Sequence, residues 1–93
     1  MTQNLYHLVI RVPKKEAAFV YFQLEAREGL CFHSTLDQSL KQPYRDIEIF
    51  ATSELQSELQ HLIDMLSQDF PIEFLTKEVI PDNKDYGLYN NGK

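Results

Sequence analysis

A cysteine and a histidine stand one residue apart in the stretch GLCFHSTLD, residues 29–37, of this 93-residue chain. A thiolate and an imidazole are both ligands that zinc accepts, and a thiol activated by an imidazole is a familiar nucleophile. Cys31 and His33 make neither site alone. His7 and Glu48 are the partners that could converge on them, if the strands that carry these residues lie side by side in a suitable register.

The signal for such a site is weak. Cys-x-His within one strand is not an established zinc spacing, and the chain has no second Cys-His pair. Cys31 also follows a predicted helix end, whose partial negative charge disfavours a thiolate. No glycine-rich phosphate loop, HExxH, GxSxG or CxxC motif occurs. We therefore predict no catalytic residue and no cofactor. The alternative is a metal-binding protein or an enzyme that uses Cys31, His33 and His7, and Cys31, His33, His7 and Glu48 are the candidates for an alternative metal site.

Composition narrows the class of protein further. With 43% hydrophobic residues, 93 residues suffice for one domain with one core. A net charge of -5 disfavours nucleic acid, because affinity for phosphates comes from Lys and Arg. The single cysteine excludes an internal disulfide, and no apolar run approaches the roughly 20 residues of a membrane span. We expect a cytoplasmic protein.

The elements that must position these side chains follow from hydrophobic periodicity and from the prolines and glycines. Strands are predicted over residues 5–12, 30–36, 45–51 and 72–80, and helices over residues 14–28 and from Ser53, as N-cap, to Leu66. The order β-α-β-β-α-β predicts a ferredoxin-like α+β sandwich, the split βαβ arrangement of a four-stranded antiparallel sheet with two helices on one face. Residues 1–80 form this domain, and residues 81–93 are expected to be a disordered tail.

The second face of that sheet is left uncovered by the chain and is one predicted contact surface. Strand alternation places Val9, Phe50 and Leu75 at its apolar centre, with charged residues around them, a pattern typical of association surfaces. The same alternation directs Leu30, Phe32 and Leu36 into the core. The positions predicted to face outward are Leu5, His7, Val9, Arg11, Cys31, His33, Thr35, Asp46, Glu48, Phe50, Glu73, Leu75 and Lys77.

The first helix is the other predicted contact surface. Its apolar residues spread over more than one stripe, so one face cannot bury all of them, and Phe19 and Phe22 are the candidates left over. A homodimer or a complex with a partner protein follows from either surface. Small-ligand sensing, as in ACT domains, stays a further alternative. RNA binding is disfavoured, because His7, Val9, Glu48 and Phe50 stand where RNA-recognition domains carry base-stacking aromatics.

One family resemblance rests on the run FVYFQLEAREGLCFHSTLD. An aromatic-rich helix ending in Glu-Ala, a glycine-capped turn and a strand carrying a threonine resemble the small bacterial family of unknown function DUF4911, over about residues 8–74. The loop QSLKQPY and the tail differ from that family. The resemblance implies a small bacterial protein and brings no activity, cofactor or catalytic residue with it.

Overall fold

The structure, a computed structural model, describes residues 3–27 and 29–82 and has the predicted order of elements. The four strands form one antiparallel sheet in the order β2-β3-β1-β4, which confirms the ferredoxin-like α+β fold. The elements are β1 (Gln3–Pro13), α1 (Ala17–Glu25), β2 (Phe32–Thr35), β3 (Tyr44–Thr52), α2 (Gln56–Leu66) and β4 (Glu73–Asp82).

The core lies between one face of the sheet and the two helices. Strand β1 contributes alternate residues, Tyr6 through Val12, and β3 contributes Ile47, Ile49 and Ala51 in the same way. The phenol of Tyr6 donates a hydrogen bond of 2.7 Å to Oε1 of Gln60 on α2, so its buried hydroxyl is satisfied. The core residues from the helices and turns are Ala17, Val20, Leu24, Leu30, Leu59, Leu62, Ile63, Leu66 and Phe70.

Both helices are shorter than predicted, because each begins with a 3-10 turn. Residues Lys14–Glu16 form the first of these turns and Ser53–Leu55 the second. The expected N-cap at Ser53 is wrong, since that residue lies inside the turn and the helix start has no side-chain cap. Gly29 has φ +78°, a left-handed conformation that favours glycine, and there the chain turns from α1 toward β2.

Strand β4 contains one extra residue opposite β1. Thr76 pairs with Val9 and Phe74 pairs with Ile10, which leaves Leu75 as a bulge between them. Side chains beyond the bulge therefore change faces, and Lys77, paired with Leu8, lies on the helix side of the sheet. The prediction that Lys77 faces outward is wrong for this reason.

The domain ends two residues later than predicted. Strand β4 continues through Pro81 to Asp82, so residues 81 and 82 belong to the sheet and not to the predicted tail. The remainder of that tail, residues 83–93, lies outside the described residues.

Candidate functional site

The faces of β2 are the reverse of those predicted. Phe32 pairs with Phe50 and Thr35 pairs with Ile47, so Phe32 lies on the open face while His33 and Thr35 lie on the helix side. Phe32 is 82% exposed, although the period-2 pattern directs it into the core. The prediction that Cys31, His33 and Thr35 face outward is therefore wrong.

A turn before β2 and a polar flank on α1 explain this reversal. Leu30 fills the core from the turn, where its N–H donates to the carbonyl of Arg27, so its burial does not set the phase of the strand. On the helix side, the rings of Tyr21 and His33 are stacked at 5.5 Å, and the Tyr21 hydroxyl is hydrogen-bonded to Thr35. Polar partners on α1 thus let the helix side of this edge strand carry polar residues.

Cys31 and His33 lie at a cleft of about 370 Å³ between the end of α1 and the start of β2. Nε2 of His33 lies 3.2 Å from Oε2 of Glu25, so its partner comes from the helix. Burial raises the pKa of the Cys31 thiol to about 11, which leaves it protonated at neutral pH. The cause of this raised pKa is burial, whereas the sequence pointed to the helix end as the feature that disfavours a thiolate.

On the open face, His7 is held between two carboxylates. Its Nε2 lies 2.9 Å from Oε2 of Glu48 on β3, and its Nδ1 lies 2.6 Å from Oε2 of Glu78 on β4. Its ring is stacked on Phe50 with centroids 4.4 Å apart. Because carboxylates only accept hydrogen bonds, the two contacts are made together when both ring nitrogens carry hydrogen. The imidazole therefore joins three strands.

The four residues of the alternative metal site do not converge. His7 and Glu48 are in contact on the open face, whereas Cys31 and His33 lie on the helix side. Within residues 3–27 and 29–82, no group of three or more His, Cys, Asp or Glu side chains could hold a metal ion. The sequence could not show this, because the outcome depends on the phase of one four-residue strand.

A second polar group on the open face is built around Arg11. Its Nε and Nη2 donate to Oδ1 and Oδ2 of Asp46 at 2.8 and 3.0 Å, and its guanidinium lies 3.9 Å from the centre of the Tyr44 ring. Asp46 is fully buried and also accepts from Nε2 of Gln38. Its hydrogen bond from Arg11 is the main cause that lowers the pKa of Asp46.

The residues predicted as interface candidates differ in what they offer to a partner. Val9 is only 8% exposed, Phe50 is half-buried against His7, and Leu75 is exposed at the bulge. Phe19 and Phe22 on α1 are exposed by 44% and 65%. The sequence missed Phe32, the most exposed of the large apolar side chains described. Tyr21 and Glu25, four residues apart on α1, were the available signal that β2 has polar partners on its helix side.

Comparisons of the chain with protein-family models and with curated proteins find no match. None of the helices in residues 3–27 and 29–82 has the length and hydropathy of a membrane span.

Proposed function

We propose that the protein is a non-catalytic association domain that works as a homodimer through the α1 outer face, defined as Ala18, Phe19, Phe22 and Ala26. The exposure of Phe19 and Phe22 is the observation that carries this proposal. The opposite side of the helix is buried against the core through Ala17, Val20 and Leu24. A surface helix with no partner normally presents polar residues on its outer side, and this one presents two phenylalanines and two alanines.

The charges at the two ends of this face support a second copy as the occupant. Lys15 is exposed before the start of α1, and Glu25 is exposed at its end, where it also contacts His33. Measured along the helix from the midpoint between Phe19 and Phe22, Lys15 lies about 9 Å away and Glu25 about 7 Å away. When two copies of α1 pack antiparallel across a two-fold axis, Lys15 of each copy comes near Glu25 of the other. The face is thus complementary to itself.

The small size of the α1 outer face limits the expected affinity of the dimer. One nine-residue helix covers less area than the roughly 1,200 Å² that a specific, stable interface buries, so we expect dissociation constants in the micromolar range or weaker. Such a dimer forms and dissociates with concentration. Self-association is therefore the property to measure.

Sedimentation equilibrium from micromolar to about 200 µM protein tests the proposal, since this range spans the expected dissociation constants. Wild type is expected to pass from monomer to dimer, and Phe22→Ser is expected to stay monomeric. Serine suits this variant because serine and phenylalanine have similar helix propensities. Phe32→Thr is the matched control, since it removes an exposed phenylalanine from the open face of the sheet, and it is expected to dimerise like wild type.

Charge reversal gives a second measurement. Lys15→Glu is expected to weaken the dimer, and adding Glu25→Lys in the same chain is expected to restore it, because the pair is then reversed and not removed. A wild type that stays monomeric at every concentration contradicts the proposal. So does a dimer that Phe32→Thr abolishes and Phe22→Ser leaves intact.

We propose a cytoplasmic location and a family for the protein as well. A lone cysteine with a protonated, partly buried thiol suits the reducing cytoplasm. Membership of the DUF4911 family likewise rests on the sequence resemblance described above.

A further inference from the structure

We propose that the open sheet face binds a partner protein through an arginine in an extended segment of that partner. The guanidinium group of the arginine lies between the rings of Phe32 and Phe50 on one side and the carboxylate of Glu48 on the other. This binding site is separate from the α1 outer face and does not depend on the dimer.

The aromatic part of the site is a row of side chains across the sheet. Phe32 pairs with Phe50, Phe50 pairs with His7, and His7 pairs with Glu78, so one residue from each strand stands in line. One side of the Phe50 ring is stacked on His7, and β2 with the exposed Phe32 lies on the other side. Paired side chains on one face are about 4.5–5.5 Å apart at Cβ, so the two phenyl groups offer one apolar platform.

The charge beside this platform is negative. Glu48 lies two residues from Phe50 on the same face of β3, which is about 7 Å along the strand. Its Oε2 contacts His7, while Oε1 has no hydrogen-bond partner among the described residues. Glu73 and Glu78 add to the acidity, and the bulge at Leu75 takes Lys77 away to the helix side. A cation is the ligand that these groups complement.

The same face already holds a guanidinium in this manner. Tyr44 and Asp46, two residues apart on β3, receive Arg11 with its plane over the ring and its nitrogens on the carboxylate. Phe50 and Glu48 repeat that spacing of ring and carboxylate on the same strand, with His7 of β1 in the place that Arg11 has beside Tyr44 and Asp46. The proposed place for a second cation is therefore the other side of Phe50, toward Phe32. Arginine fits better than lysine, because its planar group stacks on aromatic rings and pairs with a carboxylate through two hydrogen bonds.

Two other occupants fit less well. A nucleic acid could stack bases on Phe32 and Phe50, but its phosphates would meet Glu48, Glu73 and Glu78. A second copy of the chain would place two acidic faces against each other, and Arg11, the only arginine on this face of the described strands, is already held by Asp46. The partner therefore carries a charge opposite to that of this protein.

Isothermal titration calorimetry of the full chain with a capped arginine hexapeptide at low salt tests the site. Hexalysine, hexaglutamate and a six-nucleotide RNA are the comparison probes. We expect the arginine peptide to bind most tightly, Phe32→Thr to weaken it about fivefold through the lost cation–π contact, and Glu48→Gln to weaken it at least as much. Phe22→Ser, which removes an exposed phenylalanine from α1, is expected to leave the affinity unchanged.

Glu73→Gln distinguishes a specific site at Glu48 from general electrostatic attraction to the acidic face. It removes one negative charge from the same face, as Glu48→Gln does, but at another position. A loss equal to that of Glu48→Gln would overturn the proposal. Equal binding of hexalysine that Phe32→Thr does not weaken, tighter binding of the RNA, or no binding of the arginine peptide would each overturn it as well. Oligomeric state enters none of these results, so they stand apart from the dimer test.

Discussion

The α1 outer face and the open sheet face of this domain differ in polarity and in charge. The α1 outer face is apolar along its length and carries one charge of each sign at its ends, Lys15 and Glu25. The open sheet face carries a row of rings beside polar and charged groups that already contact one another, Arg11 with Asp46 and His7 with two glutamates. A surface with both signs of charge at its ends can match itself, whereas a surface with an excess of one sign matches a different molecule.

The comparison also separates stability from binding. The polar groups of the open face are held by contacts within the domain, so changing them should alter the free energy of unfolding. The phenylalanines of the α1 outer face are exposed, Phe22 more than Phe19, so changing Phe22 should alter association more than stability. Three measurements of stability test this contrast.

Asp46→Ala is expected to give the largest effect, a loss of about 2 kcal/mol in the free energy of unfolding, because the hydrogen bonds of a buried carboxylate are lost. The substitution leaves the Arg11 guanidinium without its carboxylate and removes the acceptor of Gln38. Urea unfolding followed by circular dichroism measures the loss. A change below about 1 kcal/mol would mean that this ion pair behaves like a solvated surface pair, and the contrast between the two faces would fail.

An intermediate effect is expected from acid. The pKa of Asp46 is lower in the folded protein than its ordinary value of about 3.9, so the stability it contributes is complete above about pH 4 and is lost as pH falls through the folded pKa. Urea midpoints measured between pH 7 and pH 2.5 should fall more steeply in wild type than in Asp46→Asn. Equal slopes below pH 4 in the two proteins would contradict the lowered pKa.

Phe22→Ser is expected to give the smallest effect, a change of less than about 0.5 kcal/mol in the unfolding of the dilute monomer. The ring is mostly exposed and the two residues have similar helix propensities, so little is lost from the folded chain. The measurement is urea unfolding at a concentration below the dissociation constant of the dimer. A loss above about 1 kcal/mol would show that Phe22 packs within the monomer and that the α1 outer face is not free.

The fold could be predicted from the sequence because its strongest patterns lie on the elements that define it. The central strands β1 and β3 place alternate side chains in the core, Tyr6 through Val12 and Ile47 through Ala51, and α2 buries Leu59, Leu62, Ile63 and Leu66 at helical spacing. Each of these patterns is long enough to fix its phase. The order of the elements then leaves few topologies to choose from.

The candidate site could be predicted only in part, because two features escape periodicity. Strand β2 has four residues, and the buried Leu30 before it suggests the wrong phase, which directed Phe32 into the core and placed His33 on the same face as His7. The bulge at Leu75 reverses the faces of the residues that follow, which brought Glu78 to His7 and removed Lys77. A shift of one residue moves a side chain through the sheet, so such local irregularities decide which groups meet.

The bulge at Leu75 also makes β4 tolerant to a change of length. Phe74 and Thr76 pair with Ile10 and Val9, which are adjacent on β1, so removal of Leu75 alone would leave a regular ladder with every other pair and face in place. Relatives one residue shorter at this point could therefore keep the same core and the same open face. The sheet can therefore absorb a gap at position 75 in an alignment without turning Glu78 away from His7.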